Sequence, residues 1–329
     1  MKELKAAQIM CIGEIVWDLL PNGRFLGGAP LNVALNLHRL GVPVHMISAV
    51  GNDELGDEVL HVLADLKMPI SGIQRNDLPT GVVEVSLDDH GLPDYEIKHP
   101  SAWDTIEISS RVEGAPWQEE GSFNPKEPPK YLVVGSLVFR SERSRSSLWS
   151  FMEHRDSSTI LVLDVNLRKE GYTPDRVLAL MQMAHVVKLN EEELELVLEW
   201  LGDENLDSGE VVDSGVFAKN SPFEPNHEKS KLQSLLDHIG SRFGLKAIIL
   251  TLGAKGAIFW RSGTKLLSVK ATPVDVVDTV GAGDAFLAGV LYGWVNDWND
   301  TEALALGSKM GAYVAGHRSA TPELAIDLL

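Results

Sequence analysis

The stretch DTVGAGDAF, residues 278–286, sets two glycines and an alanine directly ahead of a run with helical character. Small residues opening a helix leave bare backbone N–H groups at the positive end of the helix dipole, a ready site for an anion. Gly281, Ala282 and Gly283 form that loop, yet Asp284 sits inside it. A carboxylate there repels a bound phosphate, which makes Asp284 the residue to explain. Earlier in the chain, GGAPLNVALNLHRLG (27–41) pairs two glycines with a helical pattern that sets Val33, Leu37 and Leu40 on one face and closes at Gly41. It is either a glycine turn before a core-packed helix, or a site where Gly27 and Gly28 admit a small polar ligand and Asn32 offers a donor and an acceptor. Asp18, in VWDLLPNG, is either an acceptor for sugar hydroxyls or an ordinary turn acid before Pro21.

Three further stretches carry polar groups at strand ends. TLGAKGAIF (251–259) has neither Walker A nor G-x-G-x-x-G spacing. It reads as a hairpin turn or as a nucleotide-phosphate loop built from Thr251, Gly253 and Gly256. KLNEEELELV (188–197) runs from Lys188 at a strand end into a helix whose first turn is acidic, as the dipole favours. Most such runs are capped helix starts, but Asn190 and Glu193, three residues apart, could share a side and hold a hydrated Mg2+. LDVNLRKEGY (163–172) places Asp164, Asn166 and Arg168 on alternate positions where a strand ends. Ligands of open α/β sheets bind beyond those ends. A salt bridge between Asp164 and Arg168 is the competing explanation.

The elements that must position these groups show in the hydrophobic pattern. QIMCIGEIV, VHMISAVG, YLVVGSLVF, TILVLDVNL, HVVKLN and AIILTLG are near-continuous apolar strands alternating with helical segments. That alternation predicts a mainly parallel sheet covered on both faces. Residues 80–99 instead alternate apolar and polar around the turn-forming DDHG, which predicts an antiparallel hairpin with one solvated face, an appendage that could serve as a lid. Turn-rich stretches at 113–130 and 202–230 read as surface loops, because strand and helix alternation resumes after each. No internal repeat is visible, and residues 1–329 read as a single domain.

Composition narrows the partners. With 47 acidic and 29 basic residues, the formal net charge of -18 argues against nucleic acid or an anionic membrane as the main partner. Cys11 is the only cysteine, so no intrachain disulfide and no cysteine-rich metal cluster can form. Glu14 interrupts the apolar N-terminal run before a signal core or membrane span develops. A soluble, cytoplasmic protein is expected.

Taken together, these residues resemble the ribokinase, or PfkB, family of sugar kinases. GGAPLNVALNLHRLGVPVHMISAVGNDELGDEVL looks like its N-terminal signature, and DTVGAGDAFLAGVLYGW is similar to its C-terminal one. The acidic run and the T-x-G-x-x-G loop fall between them, in the family's order. GEIVWDLLPNG followed by GGAPLNVA is most similar to fructokinases, as is HPSAWDTI (99–106). The resemblance implies a ribokinase-like three-layer α/β/α sandwich with a small β lid contributed by about 14–27 and 80–105. It implies transfer of the γ-phosphate of MgATP to a primary hydroxyl of a small sugar, D-fructose first, with ribose or 2-keto-3-deoxygluconate as alternatives. A non-catalytic sugar or nucleotide sensor of the same fold is the alternative outside catalysis.

The residue roles follow from the same resemblance. Asp284 is the catalytic base, and Gly281, Ala282 and Gly283 form the anion hole. Asp18, Gly28 and Asn32 belong to the sugar site, with Asn166 and Arg168 near the sugar or the transferred phosphate. Trp103 either stacks on a sugar face or packs in the core. Lys188, Asn190, Thr251, Gly253 and Gly256 lie on the ATP side, and Glu193 organises Mg2+ through water. Asp278 matches a monovalent-cation site, where Val280 replaces a frequent threonine, so activation by K+ stays open. Members often dimerise through their lids, which makes a homodimer the expected assembly.

Overall fold

The computed structural model describes residues 8–20, 23–87, 93–108, 128–169, 171–202 and 226–323. The DDHG turn and most of the loops 113–130 and 202–230 lie outside the described residues.

Strands of mostly branched apolar residues, covered by helices on both faces, assemble into one sheet of nine. In spatial order they are β13 (Leu267–Val269), β12 (Ala257–Arg261), β11 (Ala247–Thr251), β10 (Val186–Asn190), β9 (Ile160–Asp164), β8 (Tyr131–Gly135), β1 (Ile9–Ile12), β4 (Val44–Gly51) and β5 (Ile73–Asn76). Every neighbouring pair from β11 to β5 is parallel. β12 and β13 add an antiparallel edge.

The two faces feed two cores, as a side-chain period of two requires. In β1, Met10 and Ile12 enter one cluster while Ile9 and Cys11 enter the other. Helices α1 (Ala29–Arg39), α2 (Glu54–Asp65), α7 (Ala282–Val295) and α8 (Asp300–Ala315) cover the second. Helices α3 (Glu142–Glu153), α4 (Pro174–Met183), α5 (Glu191–Leu201) and α6 (Asn226–Phe243) cover the first. The result is the expected three-layer α/β/α sandwich.

A second sheet of four strands has the order β3 (Gly23–Gly27), β2 (Val16–Leu20), β6 (Gly81–Leu87) and β7 (Pro93–Ile97). β6 and β7 are antiparallel, as the alternation predicted, and β2 joins β6 in parallel. This sheet ends at Ile97, short of residue 105. The next residues turn back into the body, where Trp103 and Ile106 are fully buried. Two clasps hold the sheet to the sandwich. Asp53, the N-cap of α2, accepts from both the N–H (2.8 Å) and the hydroxyl (2.6 Å) of Thr80 at the entry to β6. At the exit of β7, Arg140 bonds Lys98 O at 2.7 Å and forms an ion pair with Asp104 at 2.8 Å.

Candidate active site

Parallel strands end together, so the polar residues that close β9, β10 and β11 gather at one pole of the sheet. Register sets Lys188 beside Asp164 and Asn190 beside Thr251. The Lys188 ammonium donates to both oxygens of Asp164, at 2.8 and 2.9 Å, and both residues are buried. Burial works against the Lys188 charge, but Asp164, Glu193 and Asp284 outweigh it and raise its pKa. The ammonium is therefore fixed and charged. Asp164 is taken by Lys188, which overturns the alternative of a salt bridge to Arg168. The Arg168 guanidinium is exposed and makes no hydrogen bond with a described residue, while its charge still reaches Glu14, Asp18 and Asp284. Between them, Asn166 adopts φ 37, a left-handed conformation uncommon outside glycine.

Helix α7 opens over this pair. Its N-cap, Gly281, has φ 78, and a Cβ there would lie 2.5 Å from the Cβ of Ala320. Only glycine meets both conditions. A Cβ on Gly283 would lie 3.4 Å from Lys188 Nζ, so the ammonium sits beside the loop, where the Ala282 N–H is taken by Thr279 O at 3.2 Å. Asp284, in the first turn, is 9% exposed, and its Oδ2 accepts from Asn32 Nδ2 at 2.8 Å. Burial, then the like charge of Asp164, push its pKa up to about 6 against Lys188, Asn32 and Arg168. A carboxylate tuned to that range can exchange a proton near neutral pH.

The N-terminus of α1 faces this helix. Gly28 is its N-cap at φ 115, and a Cβ there would lie 2.3 Å from Glu14 O. Asn32 is buried, and its Oδ1 has no hydrogen-bond partner among the described residues. Asp18, on β2, is pushed up to about 6 by burial, with Arg168 opposing. Glu14 was read only as an acid interrupting an apolar run. In the structure its Oε1 accepts from Ala29 N–H at 3.3 Å and holds the start of α1, which has no cap from its own N-cap side chain. Its place just past β1, at the carboxyl pole, was the available signal.

Anion amides, a fixed ammonium and a carboxylate near an unfilled acceptor are the parts of a phosphoryl-transfer site. A match to the pfkB family carbohydrate kinase profile spans residues 8–326. The chain belongs to the pfkB family of carbohydrate kinases. It is similar to fructokinases of Klebsiella pneumoniae, 30% identical over 302 residues (87% of this chain, 84% of that protein), and Salmonella typhimurium, 29% over 313 residues (91% and 88%). The crystal structure of Vibrio cholerae O395 fructokinase in its fructose, ADP and calcium ion bound form matches with a TM-score of 0.72 at 25% identity, covering 96% of this chain and 94% of that one. Aminoimidazole riboside kinase from Salmonella enterica shares the fold, with a TM-score of 0.69 at 22% identity over 96% of each chain.

The kinase places the other expected residues unevenly. Asn190 Oδ1 accepts from Glu193 N–H at 2.8 Å, and Glu193 Oε2 accepts from Asn190 N–H at 2.9 Å. Glu193 Oε1 takes Leu167 N–H at 2.9 Å. This is a capping box, and it uses one acceptor site on each carboxylate oxygen. The capped helix start holds the Glu193 carboxylate in place beside Lys188, and each of its oxygens accepts a single amide. Thr251, Gly253 and Gly256 form the tight turn between β11 and β12, with φ 54 at Gly253 and 105 at Gly256. Lys255 in that turn pairs with Glu191 at 2.8 Å, fastening it to the start of α5. Trp103 is 0% exposed, under the Arg140 guanidinium at 3.9 Å, so it is a core residue and offers no face to a sugar. Asp278 Oδ1 accepts from Val280 N–H at 3.0 Å in a local turn leading into the anion loop.

Proposed function

We propose that this kinase transfers the γ-phosphate of MgATP to a primary hydroxyl of D-fructose. The observation that carries the reading is the setting of Asp284: a carboxylate tuned to about 6, one helical turn from the Gly281–Gly283 amides and bonded to Asn32 of the opposite helix. A sugar hydroxyl between Asp284 and the anion loop relieves their mutual repulsion, since it gives the carboxylate a proton to accept. Phosphoryl transfer passes through a loose transition state, so the protein chiefly aligns reactants and stabilises charge on the equatorial oxygens. The amides of Gly281 and Gly283 and the Lys188 ammonium supply that stabilisation. Asp284 orients the hydroxyl and takes its proton late. Asp18, Gly28 and Asn32 hold the sugar, with Arg168 reaching in from the strand end, and Thr251, Gly253 and Gly256 border the nucleotide. Mg2+ would enter with ATP, and Asn190 and Glu193 would hold it through water.

The four-stranded sheet acts as a lid that excludes water from the transfer, as part of a single kinase domain. Its edge strands β3 and β7 make it the face through which two copies pair. The fructokinase relatives, and the neighbour whose structure holds fructose and ADP, support fructose as the acceptor. The test is ADP release with MgATP over fructose, ribose, glucose, 2-keto-3-deoxygluconate and nucleosides, with and without K+. Fructose should give the highest kcat/KM, and Asp284→Asn should lower kcat roughly 10²-fold or more. Preference for another acceptor would overturn the substrate, no ADP release with any would favour a sensor, and near wild-type turnover of Asp284→Asn would remove the base.

A further inference from the structure

At the opposite pole of the main sheet, against the amino ends of β8, β9, β10 and β11, lies a cavity of about 360 Å³. Five-residue strands put it roughly 16 Å from the catalytic pole. Helix α7 joins the two, carrying Asp284 in its first turn and ending on the cavity at Trp294.

One wall is aromatic. Tyr131 and Trp294 stack with ring centroids 6.1 Å apart and planes 26° from parallel. Trp298 stands at the rim, 36% exposed, its edge held against Tyr292. Stacked rings keep their positions without a ligand, so the surface they present is already formed.

The other wall is basic, and its charges do not cancel. Asp300 takes two bonds from Arg261, at 2.8 and 2.6 Å, and Asp297 pairs with Lys130 at 3.2 Å. Both acids of the lining are thereby engaged. Lys246 is exposed, and its ammonium makes no hydrogen bond or ion pair with any described residue; the Tyr131 hydroxyl makes none either. An uncompensated cation, a free hydroxyl and a part-exposed tryptophan thus line one cavity. The cavity volume suits one or two fused rings.

We propose that this cavity is a second ligand site, which takes a small planar ring bearing one anionic group. The ring lies on Trp298, and the anion meets Lys246 and the Tyr131 hydroxyl. Its recognition differs from that of the catalytic pole, where free amides and carboxylates await a phosphate and a polyhydroxylated neutral.

Calorimetric titration of the full chain with naphthalene-2-sulfonate, in saturating ADP so that the nucleotide site is filled, tests this. One-to-one binding is expected, weakened about tenfold or more by Lys246→Glu and by Trp298→Ala, with the melting temperature and ADP release of both variants unchanged. The neutral ring 2-naphthol should bind about tenfold more weakly than the sulfonate and be indifferent to Lys246→Glu. No saturable binding up to about 1 mM, binding that survives both substitutions, or binding abolished by ADP would each overturn the proposal. None of these outcomes bears on the acceptor sugar, which is read in a separate assay.

Discussion

Asp284 must be charged to accept a proton, and its surroundings oppose that charge. Burial and Asp164 raise its pKa to about 6, while Lys188, Asn32 and Arg168 keep it from rising further. Asp18, across the proposed sugar site, is raised to about 6 by burial alone, against Arg168. With both carboxylates needed ionised, kcat/KM should fall as pH drops through 6, at a slope steeper than one proton gives. Asp18→Asn should return the slope of the acid limb toward one, and a pH profile of the two enzymes decides it; an unchanged slope would remove Asp18 from the titration. The same shift has a stability consequence of definite sign. Because the folded pKa of Asp284 lies above its unfolded value, the folded state holds more protons in between. Stability present below about 4 is therefore lost as pH rises through 6. The ionised carboxylate then costs on the order of 2–3 kcal/mol at neutral pH. Asp284→Asn, which keeps an acceptor for Asn32, should raise the melting temperature at pH 7.5 and leave it nearly unchanged at pH 4. Calorimetry at the two values would refute this if the gain were equal at both.

The start of helix α7 depends on a glycine that, in the proposed reaction, also supplies one of the anion amides. Gly281 holds φ 78 and faces Ala320 so closely that a methyl group cannot fit. Gly281→Ala should cost roughly 1–2 kcal/mol for the left-handed backbone alone, and more for the collision. Since this glycine aims the anion amides, kcat should fall more than the KM for sugar rises. Ala320→Gly in the same chain restores the space but not the backbone freedom, so partial recovery of kcat and melting temperature is expected. Recovery that is complete would show the backbone angle to be free of cost, and none at all would clear Ala320 as the obstacle. The loop itself was legible in the sequence, because small residues before a helix have few other uses. So were the parallel strands and the β6–β7 hairpin, whose apolar runs and alternation follow directly from which faces are buried. Partnerships were not legible. Lys188 and Asp164 are 24 residues apart and meet only through strand register, and the cap between Asn190 and Glu193 shows only once the amides are placed. Trp103 has the same chemistry on a sugar or in a core, and only the path of the chain after β7 decides between them. Glu14 offered only its place just past β1, since its partner, the Ala29 N–H, lies 15 residues away at the start of α1.

A molecule of net charge -18 has to admit a nucleotide that is itself an anion. In the proposed site Lys188 and Arg168 would attract it, and their influence is short in range because acids lie close to both. The repulsion from the rest of the surface is long in range and depends on the ionic medium. At about 0.01 M salt it extends some ~30 Å from the protein, and at about 0.15 M only ~8 Å. Screening should therefore remove the outer barrier before it weakens the inner attraction, the reverse of the usual steering of substrates by complementary charge. kcat/KM for MgATP is expected to rise about twofold or more over that interval, while kcat/KM for the neutral acceptor changes less. Tetramethylammonium chloride is the salt to use, so that a specific effect of K+ at the Asp278 turn is kept apart from screening. Steady-state rates with each substrate varied at saturation of the other give the comparison. A fall in kcat/KM for MgATP would mean that the local cations govern its approach even at long range, and that the overall charge of this kinase has no part in the encounter.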